Sequence, residues 1–165
     1  MTIIIKNKET LLIQDFKFKC SIGKNGFSRN KKEGDNKTPI GIFKLGNIYY
    51  REDRIKKLIS KLKKIKIKRN MGWCDDPKSK YYNKLIKIKK NLKISYERLF
   101  RKDSKYDLFI LIKYNFKKTY KNRGSAIFLH LTKNYSPTQG CVAIKKKDFL
   151  ILNKLIHKNT KIKIS

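Results

Sequence analysis

His130 and Cys141, eleven positions apart near the end of the chain, are the residues with the clearest capacity for chemistry. A cysteine attacks as its thiolate, and a free thiol has a pKa near 8.5, so a nucleophilic cysteine needs a base beside it. Apolar segments at 126–129 and 142–144 flank a stretch rich in turn-forming residues at 134–137. We therefore predict a strand, a loop and a second strand that bring the imidazole of His130 to the sulfur of Cys141.

Gly140 stands directly before the cysteine and suits a catalytic turn. A residue without Cβ lets a substrate backbone come close and tolerates unusual φ angles. The backbone N–H groups of Gly140 and Cys141 are therefore candidate donors to an oxyanion. The alternative interpretation is that Cys141 is a small buried hydrophobic residue and His130 a hydrogen-bonded histidine at a strand end, since free cysteine is among the most buried residue types.

The stretch HLTKNYSPTQGCVAI, residues 130–144, resembles the signature of the L,D-transpeptidase (YkuD-type) catalytic domain, in which a His precedes a Ser/Thr-x-Gly-Cys element. It is most similar to a compact bacterial branch of that family with a short loop between His and Cys. Further similarity lies along the chain, at residues 32–35 (KEGD), 38–43 (TPIGIF), 72–77 (GWCDDP) and 123–128 (RGSAIF). The resemblance therefore covers nearly the whole chain.

The resemblance implies a peptidoglycan L,D-transpeptidase that needs no cofactor and acts on stem peptides. Cys141 would attack the carbonyl of the third stem residue, release the terminal D-Ala and pass the acyl group to an amine, with His130 as the base. Thr138 and Gln139 are assigned to substrate binding. The residues by themselves argue only for acyl transfer, so an L,D-carboxypeptidase or amidase with the same site, in which water attacks the acyl-enzyme, remains open.

Two positions depart from the family pattern. The family often has Arg two residues after the Cys and His two residues before it, where this chain has Ala143 and Gln139. Both departures also occur in the compact branch. We assign Arg123 as the source of positive charge near the substrate carboxylate. No acidic residue near His130 stands out as its orienting partner, a task that a backbone carbonyl can perform in the family.

Cysteine and aromatic residues elsewhere admit fewer roles. Three cysteines without CxxC spacing, and only two histidines, predict no metal site. At least one thiol stays free, and a Cys20–Cys74 disulfide is an open alternative. The single tryptophan, Trp73, falls in a predicted loop over 71–83. It is either a wall of the substrate site beside Asp75 and Asp76 or an aromatic anchor beneath that loop.

The formal net charge of +32 comes from 44 basic against 12 acidic residues. Such a field attracts nucleic acid, anionic lipid and acidic cell-wall polymer, with binding that weakens steeply as salt rises. Only seven of the basic residues are arginine, the usual choice for bidentate base contacts, so we predict no specific nucleic-acid recognition. A non-enzymatic basic protein that binds nucleic acid or envelope polymer is the rival hypothesis, but such a binder has no reason to keep the TQGC element.

The apolar run at residues 1–5 ends at Lys6, well short of a secretory h-region, and no apolar run approaches a transmembrane span. The resemblance implies the cell envelope or periplasm, while the visible sequence shows no signal peptide, so a cytoplasmic location also stays open. We expect a monomer.

We predict a single domain over residues 1–165, mainly β with a few short helices, and the resemblance implies the β-sandwich of the L,D-transpeptidase catalytic domain. His157, at the end of the last predicted helix, is taken as a surface cap and not as a base. Strands are predicted at 2–5, 10–20, 42–50, 65–68, 85–88, 107–114, 125–131, 142–144 and 161–164, and helical turns near 54–64, 96–100 and 147–156.

Overall fold

The computed structural model describes residues 1–165 and contains fourteen β-strands and one α-helix. In chain order these are β1 (Thr2–Lys6), β2 (Thr10–Ile13), β3 (Phe16–Lys19), β4 (Phe27–Ser28), β5 (Thr38–Pro39), β6 (Gly41–Tyr50), β7 (Lys64–Lys66), β8 (Met71–Cys74), β9 (Leu85–Lys87), β10 (Tyr96–Arg98), β11 (Leu108–Ile112), β12 (Phe128–Leu131), β13 (Val142–Ile144), α1 (Lys146–Leu155) and β14 (Lys161–Ile164). The predicted mainly β class is confirmed, with a single helix in place of several.

Strand β6 joins the two halves of a nine-stranded sheet. The order is β13-β12-β11-β6-β14-β1-β2-β3, with β7 paired to β6 off this path. The first residues of β6 pair with β14, and its later residues pair with β11 and β7. A separate three-stranded sheet has the order β10-β8-β9, and β4 pairs with β5. The arrangement is a β-sandwich, as predicted.

Strand β11 lies between two hydrophobic clusters. All five of its residues are buried, and alternate side chains point to opposite faces. Leu108, Ile110 and Ile112 belong to the larger cluster, which also receives Phe149 and Leu152 from α1. The other two residues of β11 belong to a smaller cluster on the opposite face. The prediction of a central strand buried on both faces is therefore confirmed.

The smaller cluster is largely aromatic and attaches the three-stranded sheet to the main sheet. Trp73 meets Phe128 edge-on with ring centroids 5.3 Å apart, and Phe109 lies 4.6 Å from Phe128. The indole N–H of Trp73 donates to Asn83 Oδ1 at 2.9 Å. Aromatic pairs of this kind add about 0.5–1.5 kcal/mol each beyond the burial of their area. Strand β12, through Phe128, and the segment that carries Cys141 thus pack against this aromatic layer.

The helix predicted near residues 54–64 is absent. That segment has no regular structure before β7 begins at Lys64, only a turn and isolated bends, although Ile55, Leu58 and Leu62 are buried in the larger cluster. A helix there would set Lys57 one turn from Lys61, and like charges at that spacing destabilise a helix. The three apolar residues are buried in the tertiary structure without a helix.

Three other assignments also change. Residues 10–20 form the hairpin β2–β3 in place of one strand, with Gln14 at a φ of 49° in its turn. The predicted loop over 71–83 begins with strand β8, and the helical turn predicted over 96–100 is strand β10. Strand β10 is only three residues long and pairs with β8 about 25 positions earlier, a long-range partner that local patterns do not show.

All three cysteines are free, so Cys20 and Cys74 do not form a disulfide. The helix α1 has 10 residues, and no helix in the chain has the length and apolar character that a membrane span requires.

Candidate active site

Parallel pairing of β12 with β13 places His130 and Cys141 on one face of the sheet. His130 is level with Ala143, and Leu129 is level with Val142. Because side chains alternate, Leu129 and Val142 enter the larger core while His130 and Cys141 face the opposite way. Strand spacing and rise set the Cα atoms of His130 and Cys141 about 8 Å apart, a diagonal that side chains on one face can bridge. The predicted strand–loop–strand arrangement is present.

A single cavity of about 1240 Å³ is lined by both His130 and Cys141. Thr138 and Gln139 line it as well. Ligand pockets for small molecules occupy about 300–1,000 Å³, so this cavity has room for a segment of peptide.

Cys141 is held as a neutral thiol at the base of this cavity. Its Sγ donates to the carbonyl oxygen of Ala126 at 3.2 Å and accepts from the N–H of Phe128 at 3.3 Å. Burial raises the pKa of the thiol to about 12, and the carboxylate of Glu97 adds to that rise. The Phe128 N–H and the ammonium of Lys31 act in the opposite direction. The thiol therefore rests in its protonated form, and it would need a base in order to react as a nucleophile.

The imidazole of His130 lines the same cavity as the thiol. Its Nδ1 lies 2.9 Å from the carbonyl oxygen of Leu131. A carbonyl only accepts, so the proton lies on Nδ1 and the lone pair on Nε2 stays free. Burial lowers the pKa of His130 to about 4, against the opposing effect of the Leu131 carbonyl. His130 is thus a neutral imidazole of fixed orientation, and a backbone carbonyl supplies the orientation for which the sequence offered no acidic residue.

The turn before Cys141 requires glycine. Gly140 has a φ of 135°, and a Cβ at this position would lie 2.8 Å from the carbonyl oxygen of Lys37. Its N–H donates to Thr138 Oγ1 at 3.1 Å, and the Thr138 hydroxyl donates to the Cys141 carbonyl at 2.6 Å. Thr138 therefore stabilises the turn through both hydrogen bonds of its hydroxyl group. With the Gly140 N–H engaged, the Cys141 N–H is the member of the predicted donor pair that has no acceptor within the protein.

Lys31 is a buried cation beneath this turn that the sequence reasoning missed. Its side chain is 3% exposed and pairs with Asp35 Oδ1 at 2.6 Å. A Cβ on Gly124 would meet Lys31 Cε at 2.8 Å, and one on Gly140 would meet its Nζ at 3.3 Å. The Lys31 side chain thus runs past Gly124 and Gly140, and its charge lowers the pKa of the Cys141 thiol. In a chain with this many lysines, no local signal singles Lys31 out.

Two predicted substrate-binding residues lie outside the cavity lining. Trp73 is 1% exposed and belongs to the aromatic cluster, which matches its interpretation as an anchor. Arg123 is exposed, and its carbonyl accepts a hydrogen bond from the Tyr114 hydroxyl. His157 follows α1, away from the cavity, with its Nδ1 accepting from the N–H of Asn159 at 3.3 Å.

Glu97 and Tyr106 join the site without having been predicted. Both line the cavity, and the Tyr106 hydroxyl donates to Glu97 Oε1 at 2.5 Å. The Tyr106 ring meets the His130 ring edge-on at 5.4 Å. The helical turn predicted over 96–100 gave no reason to place Glu97 in the site. In strand β10, by contrast, the side chain of Glu97 faces the cavity.

Acidification should destabilise the protein through His130. Its folded pKa of about 4 lies below the ordinary value of 6.5, so between these pH values the unfolded chain binds the extra proton. Stability from this residue is complete above pH 6.5 and falls by about 3 kcal/mol as the pH drops to 4. Urea unfolding across this range should show wild type losing stability relative to His130→Gln. A difference that stays constant with pH would contradict a buried neutral imidazole.

Comparison with known proteins identifies the family and the fold. A sequence model of the YkuD family, described as the L,D-transpeptidase catalytic domain, matches residues 1–164. No curated protein matches. The solved structure of Bdellovibrio bacteriovorus Bd1075 superposes with a TM-score of 0.52 at 19% identity, covering 99% of this chain and 47% of that one. The fold is thus shared, and this chain spans about half the length of that protein. The chain belongs to the YkuD family of L,D-transpeptidase catalytic domains.

Proposed function

We propose that this protein is a cysteine acyltransferase of peptidoglycan stem peptides, an L,D-transpeptidase that forms cell-wall cross-links. The observation that carries the proposal is that a protonated Cys141 and a neutral His130, whose Nδ1 is fixed by the Leu131 carbonyl, line one cavity. Family membership supplies the substrate class. Peptidoglycan lies outside the cytoplasmic membrane, so we propose the cell envelope as the place of action, with a monomer sufficient because one chain provides both reacting residues.

The reaction follows from the two protonation states. Cys141 Sγ attacks the carbonyl carbon of the third stem residue while its proton moves to Nε2 of His130. His130 then gives this proton to the nitrogen of the departing D-Ala as the C–N bond breaks, leaving a thioester. An amine attacks the thioester and its proton passes to His130. The C–S bond then breaks, and His130 returns the proton to Sγ of Cys141 to restore the thiol.

Neighbouring groups support these steps. The Cys141 N–H is placed to donate to the oxyanion that forms at the attacked carbonyl. Thr138 holds the turn through its two hydrogen bonds, and Gln139 at the cavity lining contacts substrate. Arg123 lies outside the cavity lining. We therefore propose that Lys105 and Lys133, which line the cavity, supply the positive charge near the substrate carboxylate.

The purified protein incubated with a stem tetrapeptide tests this function. We expect release of D-Ala and a cross-linked dimer, both absent with Cys141→Ser. Tripeptide without dimer would assign the L,D-carboxypeptidase alternative, because water would then have taken the acyl group. No D-Ala release from any stem peptide would overturn the proposal.

A further inference from the structure

Two carboxylates converge on the cavity wall that the three-stranded sheet supplies. Glu97 in β10 is level with Trp73 in β8. Asp75 lies two residues beyond Trp73 and donates its N–H to the Ser95 carbonyl at 3.3 Å. Because residues two apart share a face of a sheet, Asp75 and Glu97 are diagonal neighbours on the same side. Both line the cavity that holds Cys141.

Acceptor atoms in this region lack donors. Asp75 Oδ1 is buried without a hydrogen-bond partner, and so is the Oγ of Ser125, a residue 6% exposed that lines the same cavity. Glu97 accepts from the Tyr106 hydroxyl through Oε1 alone. Burial raises the pKa of Glu97, and the charge of Asp75 contributes to the rise. Buried acceptors without donors are costly, so the arrangement favours a ligand that brings N–H groups.

The surrounding cations do not supply the missing donors to Asp75 and Glu97. Arg101 is paired with Asp103 at 2.6 Å, and Arg54 with Asp107 at 2.8 Å. Arg101 and Lys105 act on Glu97 through their charge but form no ion pair with it. In a chain with 44 basic and 12 acidic residues, these two carboxylates thus face the cavity without a lysine or arginine bound to them.

The pair is also close to the reacting residues. Tyr106 connects them, since its hydroxyl binds Glu97 while its ring meets His130. The charge of Glu97 raises the pKa of the Cys141 thiol. A cation bound at Glu97 would offset that effect and make the thiol easier to deprotonate.

We propose that Asp75 and Glu97 form a subsite for an ammonium group of the substrate, beside the nucleophile. An ammonium presents three donors and no acceptor, which complements two carboxylates in a cavity that also holds the unpartnered hydroxyl of Ser125. A divalent metal takes more oxygen ligands, and no group of three or more metal-binding side chains exists in the chain. As a statement about substrate, this inference rests on the proposed function. The ammonium belongs either to a side chain of the acyl donor or to the acceptor amine.

A pair of thiol reagents tests the subsite without any stem peptide. Aminoethyl methanethiosulfonate carries an ammonium, and methyl methanethiosulfonate is neutral. With either one the Cys141 thiolate attacks sulfur, a disulfide forms and methanesulfinate leaves. Because the protein carries +32, its overall field repels the cationic reagent. A preference for that reagent must therefore come from local carboxylates.

We compare the rate constant of the cationic reagent at Cys141 with that of the neutral reagent. Their ratio should fall about tenfold or more in Asp75→Asn/Glu97→Gln, because that variant loses a charge-assisted hydrogen bond to the ammonium. Asp103→Asn is the matched control, because that carboxylate lines the same cavity but is already paired with Arg101. It should leave the ratio nearly unchanged. An equal ratio in wild type and the double variant, with Cys141 modification confirmed by peptide mass, would overturn the subsite.

Stem peptides then separate the two sources of the ammonium. If the donor supplies it, acetylating the side-chain amine of a tetrapeptide slows acylation of wild type but not of Asp75→Asn/Glu97→Gln. If the acceptor supplies it, acylation is unchanged and the variant shifts product from dimer to hydrolysed tripeptide. Wild type that shows the reagent preference but no acylation would refute the proposed function and keep the subsite. Acylation of wild type without the reagent preference would refute the subsite and keep the proposed function.

Discussion

His130→Ala lowers the rate of Cys141 acylation by about 10²–10⁴-fold, the usual contribution of a general base. The effect is large because burial holds the thiol pKa at about 12, so very little thiolate exists without a proton acceptor. Burst kinetics of D-Ala release from a stem tetrapeptide measure the acylation step directly.

His157→Ala is the matched control for this variant. His157 lies beyond α1 and outside the cavity, so its loss should leave acylation nearly unchanged. Far-UV circular dichroism and urea unfolding establish that both variants are folded. Equal losses in the two variants would mean that the base has been assigned to the wrong histidine.

Lys31→Met destabilises the protein by about 3 kcal/mol and slows acylation as well. Breaking a buried ion pair from one side typically costs about 3–5 kcal/mol, because the remaining charge is left unpaired. Asp35 is that remaining charge, with its side chain 16% exposed. Burial by itself raises the pKa of Asp35, but the hydrogen bond from Lys31 and two backbone N–H groups hold it below its ordinary value. Urea unfolding measures the stability loss.

The double variant Lys31→Met/Asp35→Asn separates packing from charge. Removing both members of the pair should restore much of the stability, since no buried charge is left unpaired. It should not restore the acylation rate, because the Lys31 ammonium lowers the thiol pKa and would still be absent. Recovery of both properties together would show that Lys31 acts only through folding.

The strands that position His130 and Cys141 were predictable because their signal is local. Apolar segments on both sides of a turn indicated β12 and β13, and the continuous apolar run at 107–114 indicated the buried strand β11 between two cores. Strand alternation then carries His130 and Cys141 to one face. Such patterns repeat every two residues and need no distant partner to be recognised.

The remainder of the site depends on long-range contacts. Glu97 faces the cavity because β10 pairs with β8, and a segment of three residues carries too little periodicity to show this. Lys31 becomes distinctive only once Gly124 and Gly140 converge on it. The Leu131 carbonyl that orients His130 belongs to the backbone, which no residue type reveals.

Intact-mass spectrometry of the acylated protein tests the central claim most directly. An acyltransferase that uses Cys141 must pass through a thioester, so incubation with a stem tetrapeptide should add the mass of the acyl group. A carbapenem, which the family resemblance implies as a reagent, should give a longer-lived adduct at the same sulfur. Peptide mapping should place both on Cys141, and Cys141→Ser should form neither while remaining folded. An adduct on Cys20 or Cys74, or none with either reagent, would contradict this account.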